Sequence, residues 1–265
     1  MKIYFMGGGN MTQAILKGLI SQKFSMSNVH IAEINSTHRK DLELNYKVKT
    51  NENFKALEDN AILILAVKPD QLQVACNNLK NLLTNQLVIS IVAGIKIKNI
   101  TSWLGDYNNI IRAMPNLCAK IQKSITALYS PKSLSSEQYA IVENTLQSIG
   151  KTLWVSNESK LDAVTALSGS GPAYIFYIIN ALIKAGQDIG LSLKEAQDLS
   201  YATISGASLF AKDNLNDLER LIQDVSSKGG TTEQAIDIFE QKKLNEIIKE
   251  AVIAAYKRSK KIGGE

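Results

Sequence analysis

The stretch DVSSKGGTTEQAI (224–236) sets two adjacent glycines, Gly229 and Gly230, among four hydroxyls, Ser226, Ser227, Thr231 and Thr232. A helix start needs one Ser or Thr at its cap and at most a glycine before it. The surplus donors suit a small anion. Gly229 and Gly230 would bare backbone N–H groups at the start of a helix TTEQAIDIFE, where the dipole favours a carboxylate, and Ser227 and Thr231 would add donors. Capping is part of the same job, because first-turn N–H groups need partners when no anion is bound.

A second group of residues opens the chain. KIYFMGGGNMTQAILKGL places Gly7, Gly8 and Gly9 directly after a strand pattern and before a helix pattern. In a G-x-G-x-x-G turn Gly7 would make the tight bend and Gly9 would let a pyrophosphate reach the backbone at the helix N-terminus. Thr12 stands at the third position, where Gly or Ala would let the helix pack more closely. Glu33 ends the next strand about 20 residues further on, where an acid accepts hydrogen bonds from an adenosine ribose. That points toward NADH. Asn35, Ser36, Thr37 and Arg39 follow in a loop and could meet the 2′-phosphate of NADPH instead, so the preference stays open. AVKP (66–69), VAG (92–94) and RAMPN (112–116) end later strands, and ligands of parallel sheets lie beyond such ends. Asn116 could bond the nicotinamide amide or the substrate, or serve only as a turn residue. LSGSGPAY (167–174) opens a long apolar helix with Ser168 and Ser170 between glycines and Pro172 in the first turn.

These motifs need a scaffold, and the first half supplies one. Short apolar runs, KIYFM (2–6), VHIA (29–32), KVKT (47–50), AILILAV (61–67), LVISIVA (87–93), NIIRAM (109–114), SITALY (124–129) and TLWVS (152–156), alternate with helical patterns at 12–21, 69–83 and 135–149. Strands apolar on both faces and separated by helices predict a doubly wound, mostly parallel sheet. From about Asn157 only helical periodicity remains, at 158–167, 172–189, 192–211, 215–226, 231–240 and 243–261. Two domains follow: 1–157, and an all-α 158–265. Several C-terminal helices are apolar nearly all round, so a second subunit is expected to cover some of those faces.

Composition narrows the function classes. The 265 residues are 45% hydrophobic and 21% charged, ordinary for a globular chain. The net charge of +5 lies largely in Lys257, Arg258, Lys260 and Lys261, which suit a helix C-terminus, and no basic and aromatic interleaving suggests nucleic acid. Cys76 and Cys118 lack metal-ligand spacing and read as reduced core thiols, so no metal is expected and the location is expected to be cytoplasmic. The apolar helix Ala173–Ile183 falls short of the ~20 residues that cross a bilayer, so no membrane partner is expected and the helix should be buried in protein. His30 and His38, the only histidines, belong to the second strand and the loop after it and read as surface residues.

GGGNM, AVKP, RAMPN, SGSGP and SSKGGTT, in this order and spacing, resemble the motif set of pyrroline-5-carboxylate reductase, the enzyme of the last step of proline synthesis, over nearly the whole chain. The resemblance implies a Rossmann domain, a helical dimerisation and substrate domain, NADPH or NADH as hydride donor, 1-pyrroline-5-carboxylate as substrate, and a homodimer that can assemble further, up to a decamer of dimers. It implies cofactor contacts at Met6, Gly7, Gly8, Gly9, Asn10, Met11, Asn53, Ala66, Val67, Lys68, Pro69, Ala93 and Gly94, beside Glu33, Pro115 and Asn116 from the strand ends. Ser227, Gly229, Gly230, Thr231 and Thr232, with Asn116 and Ser170, would meet the substrate, and Thr232 matches the hydroxyl that faces the ring nitrogen. Thr12, Lys228 in place of proline, and Leu218 where a proline often precedes the loop depart from the pattern.

Reducing a cyclic imine needs a hydride at carbon, a hydrogen bond or proton at nitrogen, and a carboxylate anchor, which hydroxyls and backbone N–H groups can provide by positioning. A 3-hydroxyacid dehydrogenase would need a base early in the helix after SGSGP, yet no lysine precedes Lys184 there. A non-catalytic dinucleotide-binding dimer would have no use for SGSGP and SSKGGTT together.

Overall fold

The computed structural model describes residues 1–214 and 217–263. Eight strands form one sheet: β1 (Ile3–Met6), β2 (Val29–Ala32), β3 (Lys49–Asn51), β4 (Ile62–Leu65), β5 (Leu87–Ser90), β6 (Ile110–Met114), β7 (Ser124–Tyr129) and β8 (Gly150–Trp154). Their order is β3-β2-β1-β4-β5-β6-β7-β8, parallel throughout except for the antiparallel β6–β7 pair. β1, β4 and β5 are buried at every position, as strands covered on both faces must be. Alternate residues point to opposite faces and build two cores. Ile3, Phe5, Ile62 and Ile64 meet α1 (Asn10–Ser21), α2 (Ser36–Tyr46) and α5 (Ser136–Gln147) on one face. Tyr4, Met6, Leu63 and Leu65 meet α3 (Leu72–Leu79) and α4 (Ile97–Trp103) on the other. Cys76 lies in this second core, where burial pushes its thiol up to about 12; Cys118 is only half-buried, in a surface turn rather than a core.

The predicted loop after β2 is helix α2. Its sequence STHRKDLELNY buries only Leu42 and Tyr46, too little to announce a helix by periodicity. What starts it is a cap: the Asn35 side chain accepts the His38 N–H at 2.9 Å. His38 therefore sits on the first turn of a helix.

After β8 the elements among the described residues are all helical: α6 (Lys160–Val164), a π-helical stretch (Thr165–Gly169), α7 (Gly171–Asp188), α8 (Leu193–Asp213), α9 (Leu218–Val225), α10 (Thr231–Gln241) and α11 (Leu244–Ile262). Leu215 and Asn216, at the start of the expected helix 215–226, lie outside the described residues. Chain compactness defines one unit from Met1 to Ser170 together with the chain from Ala255, and a second from Gly171 to Ala254. In the second unit α7 and α8 pack closely, since a Cβ on Gly186 would stand 3.0 Å from the Ala196 Cβ. The apolar helix is longer than the sequence suggested. Gly169 lies in the wider π turn, and Pro172 occupies the first turn of α7 just after the bend at Ser170, where its missing N–H costs little, so that α6, the π stretch and α7 follow one another over 29 residues, Lys160–Asp188. By length and composition that run could cross a membrane. Within this single chain its apolar side chains are exposed rather than buried, Tyr177 to 78%.

One carboxylate ties the first unit together. Glu158 Oε1 accepts from Arg112 Nη1 at 2.8 Å and from the Ile97 N–H at 2.7 Å, joining β6, the start of α4 and the approach to α6. Arg112 is only 3% exposed. Removing the partner of a buried charge costs more than the pair contributes, because the charge left behind is neither hydrated nor matched. We expect Glu158→Ala to destabilise the protein by about 2–3 kcal/mol, somewhat below the fully buried case because Glu158 is partly exposed, and urea unfolding followed by circular dichroism measures it.

Candidate functional site

The sheet order reverses between β1 and β4, and their carboxyl ends open a cleft of about 570 Å³. Gly7 makes the turn out of β1 with φ +103, and a Cβ there would stand 2.8 Å from the Ala66 carbonyl oxygen. Its N–H donates to Ala32 O at 2.8 Å. Thr12, the departure from the glycine pattern, is fully buried, and its hydroxyl donates to Gly7 O at 2.7 Å, so it pins the turn that a smaller residue would only accommodate. Gly9 caps α1 with no side-chain hydrogen bond to the helix start, and the first turn carries no acid. An added Cβ on Gly9 would meet nothing within 4 Å. Unpaired first-turn N–H groups beside an open backbone fit the pyrophosphate of a dinucleotide.

Of the sequence-predicted cofactor residues, Met6, Gly7, Gly8, Gly9 and Glu33 line this cleft, as do Asn53, Ala66, Val67 and Lys68. Asn10 and Met11 begin α1 next to Gly9 without lining the cleft, and Pro69 starts the short 3-10 turn after Lys68. Ala93 and Gly94 follow β5, and Pro115 and Asn116 follow β6, further along the same sheet edge. Gly94 has φ +80, and a Cβ on it would meet Ile262 at 2.5 Å, so the end of α11 lies against this turn.

At the end of β2, Glu33 Oε2 accepts the Gly8 N–H at 3.0 Å and Oε1 accepts the Asn35 N–H at 2.9 Å. Arg39 Nη1 donates to the carbonyls of Glu33 and Ile34 at 2.7 and 3.0 Å. His38, read from sequence as a surface residue, lines the cleft: its Nδ1 lies 3.5 Å from Glu33 Oε2 and its Nε2 3.2 Å from the Gln13 amide nitrogen. The signal that could have found it was Asn35 as a helix cap, which puts His38 on the first turn and faces it back toward the strand end.

Asn116 is more committed than its sequence position suggested. Its Oδ1 accepts the Cys118 N–H and its Nδ2 donates to the Ser168 hydroxyl, both at 3.0 Å, so it links RAMPN to SGSGP. Gly169 approaches just as closely, since a Cβ there would lie 2.8 Å from the Met114 Cε. Ser170 ends the π stretch, its N–H donating to Thr165 O at 2.9 Å. Helices widened to π geometry occur often at functional positions.

The loop before α10 belongs to the second unit. Gly229 has φ +73 and Gly230 caps α10 without a side-chain bond. A Cβ on Gly230 would stand 2.6 Å from the Ser227 hydroxyl, so Ser227, Gly230, Thr231 and Thr232 come together at the start of α10. The Gly229 N–H is occupied by Glu233 Oε2 at 2.6 Å. Sequence reading missed Glu233, although a carboxylate one turn into a helix is a common partner of N–H groups before it.

Residues 158–262 match a family model described as pyrroline-5-carboxylate reductase dimerisation, and residues 2–94 match one described as NADP oxidoreductase, coenzyme F420-dependent. The pyrroline-5-carboxylate reductase of Pseudomonas aeruginosa is 33% identical over 97% of this chain and 95% of its own, and that of Haemophilus influenzae 34% over 98% and 97%. Among solved structures, the pyrroline-5-carboxylate reductase of Coxiella burnetii superposes with a TM-score of 0.90 at 34% identity, covering 99% of this chain and 98% of its own. The Plasmodium falciparum pyrroline carboxylate reductase, solved with NADP bound, gives 0.87 at 28% identity with the same coverage. Prephenate dehydrogenase from Aquifex aeolicus, at 15% identity and a TM-score of 0.53, shares only the fold.

The turn at Gly7 has no room for a side chain. Gly7→Ala would force an L-residue into positive φ against a backbone carbonyl, at a cost of about 1–3 kcal/mol. The expected result is a lower thermal midpoint and a rise of at least roughly tenfold in the dissociation constant for a nicotinamide dinucleotide in fluorescence titration.

Proposed function

The chain belongs to the pyrroline-5-carboxylate reductase family, and from that premise we infer how its own residues reduce 1-pyrroline-5-carboxylate to L-proline with NADPH or NADH. The observation that carries the reading is the presence in one chain of an uncapped glycine turn at the strand-order reversal and a glycine and hydroxyl loop at the start of α10.

The bound nicotinamide supplies the hydride to the imine carbon. Gly9 and the first N–H groups of α1 would hold the pyrophosphate, Gly7 and Gly8 shaping the turn with their own N–H groups given to Ala32 and Glu33, while Ala66 to Pro69, Ala93 and Gly94, and Pro115 would orient the nicotinamide half. Asn116, tied to Ser168, positions the second motif beside that edge and leaves Ser170 to meet substrate. In the loop, Ser227, Gly229, Gly230 and Thr231 take the ring carboxylate at the positive end of α10. Thr232 faces the ring nitrogen and hydrogen-bonds it as the imine becomes an amine, and water provides the proton. Positioning and charge stabilisation then suffice without a strong general acid.

The division of labour falls at residue 157: 1–157 binds the dinucleotide, and 158–265 dimerises and binds substrate, a reading supported by the dimerisation match at 158–262. A second copy of the chain, rather than lipid, covers Phe176 and Tyr177 and the apolar faces beside them. The enzyme is a cytoplasmic homodimer, able to assemble further into a decamer of dimers; its two free thiols suit a reducing compartment.

A reductase assay with pyrroline-5-carboxylate tests the reading. Thr232→Ala should lower kcat/KM by about 10- to 100-fold, and Thr232→Ser should recover most of it; full activity in Thr232→Ala would remove that hydroxyl from the mechanism. Glu233 holds an N–H group that the substrate carboxylate needs, so Glu233→Ala should lower the substrate KM by roughly 2- to 5-fold with kcat little changed. Steady-state kinetics over a range of substrate concentrations separates the two effects.

A further inference from the structure

The end of β2 is where a dinucleotide's adenosine ribose meets the protein in a sheet of this order. We propose that Glu33 makes this chain select NADH over NADPH. The inference rests on the cleft being the dinucleotide site proposed above.

Three observations carry it. The Glu33 carboxylate, on a side chain 14% exposed, is fixed by two backbone donors, Gly8 N–H on one oxygen and Asn35 N–H on the other. Each oxygen keeps acceptor capacity for a ribose hydroxyl, which donates. A 2′-phosphate in the same place carries only acceptor oxygens and negative charge, and moving the carboxylate aside would break both backbone bonds.

The cation that could meet such a phosphate, Arg39, is already engaged by the backbone. Arg39, on the first turns of α2, spends its Nη1 on the carbonyl oxygens of Glu33 and Ile34 and does not line the cleft. Moving it would strip two carbonyls at the strand end of their donor.

The remaining charge in the cleft points the same way. Glu52, after β3, and Asp70, after β4, add carboxylates to that of Glu33, against the single lysine Lys68. His38 lies between Glu33 and the Gln13 amide, so its ring is already placed between two partners. Neutral ribose hydroxyls tolerate this field; a phosphate dianion does not.

The test starts with binding to the unmodified protein. Titration of nicotinamide fluorescence should give a dissociation constant for NADH at least roughly tenfold below that for NADPH. Adenosine 5′-monophosphate should displace NADH at lower concentration than adenosine 2′,5′-bisphosphate, which reports the ribose corner without any turnover. Glu33→Ser should narrow or invert the NADH/NADPH ratio chiefly by tightening NADPH. Glu33→Gln, which keeps length and one acceptor but not the charge, should shift the ratio in the same direction; circular dichroism shows whether each variant is folded. Equal affinity or a preference for NADPH in the unmodified protein overturns the proposal, as does a folded Glu33→Ser whose ratio is unchanged. If neither dinucleotide binds, the reading of the cleft itself fails and the proposal with it.

Discussion

At the turn after β1 the backbone has no space for a side chain. Gly7 adopts φ +103 with the Ala66 carbonyl where a Cβ would be, and this close approach lets the loops after β1 and β4 diverge on either side of a crevice. The crevice exists because the chain adds strands outward from β1 in both directions, β2 and β3 one way and β4 to β6 the other. Connections from the two sides leave in opposite senses, and the gap between them falls at the carboxyl ends. Buried Thr12 then bonds the Gly7 carbonyl and couples the turn to the helix whose open N-terminus faces the cleft. Turn, strand order and helix end are one constraint seen at three levels.

A second set of bonds carries that edge toward the helical part of the chain. Glu158 joins Arg112 of β6 to the start of α4, Asn116 joins the β6 end to Ser168, and the buried Ser259 hydroxyl donates to Asp162 at 2.7 Å, bringing the end of α11 to α6. None of these polar groups would repay its burial alone, because desolvation offsets most of what a single hydrogen bond returns. Together they fix where the second motif begins relative to the strand ends. That suits an enzyme whose chemistry depends on placement more than on strongly acidic or basic side chains.

The strands were legible because a parallel strand buried on both faces is apolar at successive positions: IYFM, ILIL and LVIS cannot be hidden any other way. The glycine motifs were legible because positive φ and close approach admit few other residues. Helix α2 was not, since it buries two side chains and owes its start to Asn35. With α2 missed, His38 was read as a loop residue and its place beside Glu33 was lost. The bond from the Asn116 amide to Ser168 joins residues far apart in sequence. Such a contact leaves no local trace. Periodicity and backbone constraint are written in neighbouring residues; polar partnerships across the fold are not.

The chain uses one device twice, to opposite effect. Glu33 sits on the N–H of Gly8 and Glu233 on the N–H of Gly229, each a carboxylate satisfying a glycine of a proposed ligand site. Beside the glycine turn the carboxylate can stay when a dinucleotide enters, because ribose hydroxyls are donors and an acceptor is what they need. In the loop before α10 the incoming group would itself be a carboxylate, so the internal one must yield its donor. The first acid would thus favour its ligand by remaining in place, whereas the second would keep a helix start satisfied until a substrate carboxylate displaced it. The sign of the effect depends on whether the ligand brings hydrogens or lone pairs to the same kind of backbone donor, which residue type alone does not reveal.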